Sequence, residues 1–139
     1  MNSLKALIVL FMLFLSLITY SSGDLIEDVC RTSRNFKVCI DALRSDPKSS
    51  SADKKGLVRI LLQQYLRKTK SIYNEIVSLL EQAKESVLIQ CLQVCKENYD
   101  LSIDNAETTI KDFDANDFPG ARSSAADVAS APNTCEENN

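Results

Sequence analysis

The chain has 139 residues, 25% of them charged, with a formal net charge of −3, three glycines, five cysteines and no histidine. Without histidine there is no imidazole to act as a general base, to activate a serine or cysteine, or to ligate a metal. Without a glycine-rich loop there is no cradle for a nucleotide phosphate, so this is expected to be a non-enzymatic protein with no cofactor, no metal and no nucleic-acid partner.

The first residues read as an address. Lys5 gives a positive n-region, Ala6 to Ile18 an apolar h-region, and Ser21-Ser22-Gly23 the small residues of a cleavage site. The apolar run is short for a membrane span, so residues 1–23 are expected to be a signal peptide. The mature chain then starts at Asp24 and has no membrane attachment. Its 116 residues (139 minus 23) suit one domain, 24–139, divided into a helical hairpin and loop (24–52) and a bundle (53–139). Secretion favours disulfides over metal thiolates for the cysteines.

Asp24 to Ser33 is a short helical start, with Leu25, Ile26 and Val29 on its apolar side and Asp24 as its cap. Phe36 to Arg44 is helical again through Phe36, Cys39, Ile40 and Leu43. A local bridge between Cys30 and Cys39 would tie the two pieces, worth about 2.7 kcal/mol by loop entropy. Ser45-Asp46-Pro47-Lys48 and the serines after it break the helix.

Asp53 to Ala83 is the longest periodic stretch. Leu57, Val58, Leu61, Leu62, Tyr65, Leu66, Ile72, Tyr73, Ile76, Leu79, Leu80 and Ala83 fall within one half of a helix, Ile60 breaks the pattern, and Asp53 is the N-cap. An apolar half-cylinder needs partners on both sides, which implies a helical bundle. After a break at Gln82 to Ser86, the residues Leu88, Leu92, Cys95, Tyr99, Ser102, Ala106, Thr109 or Ile110, and Phe113 form a second seam. Cys95 lies in that seam and Cys91 at its edge, so Cys95 is the better candidate for a buried bridge. Asp112 to Gly120 is a turn, with Pro119 starting the next helix. There Ala121, Ala125, Val128 and Ala129 make a narrow stripe that ends at Pro132.

Charge is distributed unevenly. Arg31 to Lys70 holds eleven bases against three acids, and Ser71 to Asn139 four bases against thirteen acids. The two signs solvate a bundle, or offer docking surfaces to charged partners.

Four features together resemble the plant invertase and pectin methylesterase inhibitor family. They are Cys30 and Cys39 with Thr32 and Phe36 between them, and the run from Ser45-Asp46-Pro47-Lys48-Ser49 through Ala52-Asp53 to Gly56-Leu57. The others are Cys95 followed by Tyr99, and Ser124-Ala125-Ala126 followed by Thr134-Cys135-Glu136. The look-alikes of this chain in that family include short secreted members, some of them pollen allergens. The resemblance implies an all-α, up-and-down four-helix bundle preceded by the hairpin, with disulfides Cys30–Cys39 and Cys95–Cys135. The second would contribute about 3.9 kcal/mol, and Cys91 is left over as a thiol. In the family a long last bundle helix follows the cysteine that matches Cys135. Four residues remain here, so a truncated last helix and self-association through its place are expected.

The resemblance further implies a secreted inhibitor, apoplastic or vacuolar, that blocks a carbohydrate-active enzyme. Members that act on invertase carry Pro-Lys-Phe at the turn entering the third bundle helix. Here the turn reads Phe118-Pro119-Gly120, which favours pectin methylesterase as target, with acid invertase as the alternative. Candidate target contacts are Asp112, Asp114, Asn116, Asp117, Phe118 and Arg122. Two other readings stand beside this one: a non-inhibitory secreted protein of the allergen type, and a module that binds pectin through Arg31, Arg34, Lys37, Arg44, Lys48, Lys54, Lys55 and Arg59.

Overall fold

The computed structural model describes residues 5–10, 25–128 and 135. The cleavage stretch Ser21-Ser22-Gly23, Asp24 as a cap, Ala129, Pro132, Thr134 and Glu136 lie outside the described residues. Among the described residues there is no strand, and no helix is long and apolar enough to cross a membrane. The chain divides into two compact units, Met1–Leu61 and Leu62–Asn139.

The first unit holds α1 (residues 25–30), α2 (Phe36–Ser45), a 3₁₀ turn (Pro47–Ser51) and the opening of α3 (Lys54–Gln82). The starts of α2, the 3₁₀ turn and α3 are capped. Asn35 Oδ1 accepts from the Val38 N–H, Asp46 Oδ1 from Lys48 N–H, and Asp53 Oδ1 from Gly56 N–H at 2.7 Å. α2 stops where Asp46 turns extended before Pro47. The core is Ile26, Cys30, Cys39, Ile40, Leu43, Leu57 and Ile60, with the Cys30–Cys39 bridge inside it. Ile60 is therefore no break in the pattern. The first turns of α3 bury Leu57 and Ile60 in this core, and a single face drawn along the whole helix misses that.

In the second unit α3 continues from Leu62, residues 83–85 make the turn, and α4 (Ser86–Asp114) and α5 (Phe118–Val128) follow. The segments run antiparallel in sequence. Lys70 Nζ donates to Glu107 Oε1 at 2.6 Å, and Lys96 Nζ sits 5.4 Å from the centre of the Tyr73 ring, linking α3 to α4. A hydrogen bond to Tyr73 raises the Lys96 ammonium above its ordinary pKa. α5 packs along α4, with Phe113 against Phe118 at one end, Ser102 Oγ donating to the Val128 carbonyl, and Cys95 bridged to Cys135 beyond it. This is consistent with the up-and-down bundle type that the resemblance implied.

The seam is covered in its second half only. Ser102, Ala106, Thr109 and Phe113 are buried, whereas Leu92, Cys95 and Tyr99 are half-buried and Leu88 is 47% exposed. Thr69 and Thr109 sit buried at no polar cost, because each hydroxyl donates to the carbonyl four residues back in its own helix. On α5 the buried positions are Ala121 and Val128, with Ser124 half-buried between them; Ala125, expected on that stripe, is exposed.

Candidate functional site

The turn that joins α4 to α5 spends only residues 115–117, and both helix ends are closed within it. Asn116 takes a left-handed backbone (φ 63°), a conformation that asparagine tolerates better than most residues. Its N–H donates to the Phe113 carbonyl, and the next N–H, of Asp117, donates to the Asp112 carbonyl at 2.9 Å. Those two bonds are the Schellman closure of a helix C-terminus. Asp117 then opens α5. Its carbonyl accepts from Ala121 N–H, and its Oδ1 accepts from Gly120 N–H at 3.0 Å.

This double closure positions Phe118. The ring is 51% exposed, yet its edge meets buried Phe113 with centroids 5.6 Å apart at 70°. It is an apolar side chain held on an aromatic footing and offered to solvent. Phe118 and Pro119 continue into a shallow open groove with Arg122, Ser123 and Ala126 along one side of α5. Around its mouth Asp114, Asn116 and Asp117 are exposed and Asp112 is half-buried.

The stretch Asp112 to Gly120, expected as a turn, is mostly helical, because α4 runs to Asp114 and α5 starts at Phe118; the six candidate contacts therefore lie at the end of α4 (Asp112, Asp114), in the turn (Asn116, Asp117) and at the start of α5 (Phe118, Arg122). They differ in what they do there. Asp117 caps α5, which the sequence reading did not assign, so its carboxylate has a structural partner. Phe113, the footing of Phe118, and Gly120, which leaves room for the cap, were not among the candidates. The cap is legible in hindsight. α3 and α5 both start Asp-x-x-Gly, at Asp53 to Gly56 and Asp117 to Gly120, and in both the glycine N–H is the donor to the carboxylate.

The basic residues of the first unit are partly neutralised. Lys37 pairs with Asp41, Arg44 with Glu27 and Lys54 with Asp28. The hydrogen bond from Lys54 holds the Asp28 carboxyl below its usual range. Among the described residues no three His, Cys, Asp or Glu side chains gather as a metal set. The arrangement at the turn is an exposed edge that carries the Phe118 ring and the carboxylates of Asp114 and Asp117.

The sequence profile described as plant invertase/pectin methylesterase inhibitor matches residues 24–139. The chain is 34% identical over 116 residues to cell wall / vacuolar inhibitor of fructosidase 2 of Arabidopsis thaliana, covering 83% of this chain and 64% of that protein. It is 29% identical over 141 residues to the pectinesterase inhibitor of Actinidia deliciosa, covering 98% and 76%. Against cell wall / vacuolar inhibitor of fructosidase 1 of Arabidopsis thaliana it is 35% identical over 79 residues, covering 57% and 38%. The chain thus spans less than two thirds of the length of the two Arabidopsis relatives.

Proposed function

This chain belongs to the plant invertase/pectin methylesterase inhibitor family, and from that premise we propose that it is a secreted inhibitor, of the cell wall or vacuole, that docks on a carbohydrate-active enzyme. The docking edge is the turn from Asp112 to Arg122, with Phe118 as its anchor. The observation that carries this reading is the half-exposed Phe118 ring on Phe113, in a turn closed from both sides. A side chain already fixed in place loses little freedom on binding.

The target is pectin methylesterase, and the support is electrostatic. An enzyme that works along a polyuronate must accept carboxylates in its cleft, so a cleft of that kind attracts an edge that carries Asp112, Asp114 and Asp117. The sucrose cleft of an invertase has no such requirement. Relatives named for fructosidase and for pectinesterase both match this chain, so a direct comparison is the test. The oxidised protein is mixed in turn with a pectin methylesterase and an acid invertase at low salt, and complex formation and residual activity are read. A one-to-one complex with the esterase that weakens as salt rises is expected. A complex with invertase alone, or with neither enzyme, overturns the assignment.

A further inference from the structure

The eight basic residues from Arg31 to Arg59 are not equivalent. Arg44 and Lys54 are held by Glu27 and Asp28 of α1, so they fasten the hairpin. Lys48 stands beyond the far end of α2, and Lys55 and Arg59 belong to α3. Arg31, Arg34 and Lys37 occupy the tip of the hairpin, where no acidic residue occurs between Asp28 and Asp41. All three are exposed, and Phe36, the first residue of α2, stands among them with 48% of its surface in solvent. Among the described residues Arg34 forms no ion pair. Arg31 acts on Asp28, which Lys54 already holds, and Lys37 pairs with Asp41 through side chains that are 84% and 60% exposed. An ion pair that open contributes little and is readily given up.

The tip is fixed in shape. The Cys30–Cys39 bridge closes its base. Within that ring the Cys30 carbonyl accepts from Ser33 N–H, Ser33 Oγ accepts from Asn35 N–H, and Asn35 Oδ1 accepts from Val38 N–H. The short polar side chains are thus spent on the loop, while the cations and the ring remain at the surface. A guanidinium presents its N–H groups as a planar fork that matches a carboxylate. An aromatic ring beside it offers an apolar face that a sugar ring can cover.

We propose that the hairpin tip binds an acidic polysaccharide, a polyuronate, with Phe36 against a sugar ring and Arg31, Arg34 and Lys37 on the carboxylates of neighbouring units. A polymer that repeats a carboxylate on every ring answers both features of the tip, whereas a neutral glycan answers only the aromatic one. The choice of a uronate rests on the cell-wall setting proposed above. The tip belongs to the first unit and the docking edge to the second, so this is a separate binding site. It would hold the inhibitor on the polymer that its target enzyme works along. Three exposed cations and one ring give a weak grip, with a dissociation constant on the order of 1 mM at low salt.

Titration of the oxidised protein with a short oligogalacturonate at low salt, followed by NMR shifts, tests this. No enzyme is present, so failure here is read apart from failure of the target assignment. Binding should fade as salt rises. The methyl-esterified oligomer, which keeps the rings and lacks the charge, should bind about tenfold more weakly. Arg34→Ala should weaken binding about tenfold, and Arg34→Lys should recover only part of it, because the charge returns without the fork. Phe36→Ala should weaken it several-fold. Lys48→Ala removes the same charge beyond the other end of α2 and should leave binding unchanged. Each of these side chains is exposed, so helical content should stay that of the parent in every variant. No binding, equal binding of the methyl ester, equal losses in Arg34→Ala and Lys48→Ala, or tighter binding of a single-stranded oligonucleotide of the same charge overturns the proposal.

Discussion

Replacing Gly120 by alanine should fail to stabilise α5 for a reason that a second substitution exposes. In a helix, alanine is favoured over glycine by about 0.5–1 kcal/mol. At this position, however, a Cβ would stand 2.9 Å from the Asp117 Cγ and 3.2 Å from Asp112 Oδ2. The carboxylate must swing away, and the N–H it accepts from at 3.0 Å loses its partner. Loss of an Asp cap costs about 1 kcal/mol. The two effects nearly cancel, so Gly120→Ala in the parent protein should leave stability unchanged or slightly lower. In an Asp117→Ala background the cap is already gone, and the same Gly120→Ala change should stabilise by its full 0.5–1 kcal/mol. The coupling is therefore about 1 kcal/mol, a shift of about 4 °C in the midpoint. Thermal unfolding of the four oxidised proteins measures it. Equal stabilisation by Gly120→Ala in both backgrounds would show that the carboxylate is no obstacle, and the geometry of the cap would be refuted. Gly56 is the internal comparison. Its Cβ would lie 3.1 Å from Asp53 Oδ1, where a few tenths of an ångström suffice, so the coupling there should be smaller.

Three further outcomes are expected. Phe118→Ala should cost about 1 kcal/mol of stability through the lost edge contact with Phe113 but weaken target binding by at least tenfold, the loss typical of an exposed aromatic anchor; calorimetry and inhibition titrations on one preparation separate the two. The Asp28 carboxyl is held low mainly by its hydrogen bond with Lys54, so that pair contributes above the ordinary carboxylate pKa of 3.8 and is lost as pH falls below it. Asp28→Asn should thus flatten a little of the acid-side loss of stability, with almost no effect in high salt, as acid unfolding curves in both conditions will read. Replacing Cys30 and Cys39 together by serine should cost about 2.7 kcal/mol in denaturant unfolding, and more if the serine hydroxyl at the fully buried Cys30 finds no partner.

Much of the architecture was legible from periodicity and punctuation. The long helix, read as Asp53 to Ala83, runs Lys54–Gln82, and Asp53 caps it as its side chain allows. The bridges Cys30–Cys39 and Cys95–Cys135, which the family resemblance implied, are present, and Cys91 lies outside both. The misses share one cause, which is that a period identifies a face but says nothing of what covers it. Ile60 was set aside because α3 was read with one face, although its opening turns serve a different core from the rest. Leu88 belongs to the seam by spacing, yet it is 47% exposed, nearly four turns from Ser102, where the last described residue of α5, Val128, meets α4. Ala125 and Ser124 occupy neighbouring positions on a small-residue helix, and composition could not decide which of them turns inward. At the turn, the sequence reading grouped residues that the structure does bring together and missed the division of labour among them. Asp117 as a cap becomes visible only when its distance of three residues from Gly120 is compared with Asp53 and Gly56.

That division of labour bears on how a loop of three residues can act as a binding edge. An acidic surface loop in free motion would give up several rotamers and backbone angles on docking, at about 1–2 kcal/mol for each ordered backbone residue, and little of its electrostatic attraction would survive as affinity. Here the cost has already been met in folding. The α4 carbonyls of Lys111, Phe113 and Asp112 take the three N–H groups of the turn, Asp117 takes that of Gly120, and Phe113 supports Phe118. Each bond that closes a helix end also removes a degree of freedom from the edge. Asp117 is then more useful as a cap than as a contact, because a cap can be satisfied while its charge still adds to the field that draws a cationic cleft. Asp114 and Phe118 are the residues of this edge to which the proposed contact is assigned. This is why substitutions at Asp114 and Phe118 should act on affinity, and substitutions at Gly120 and Asn116 on the geometry that makes affinity attainable.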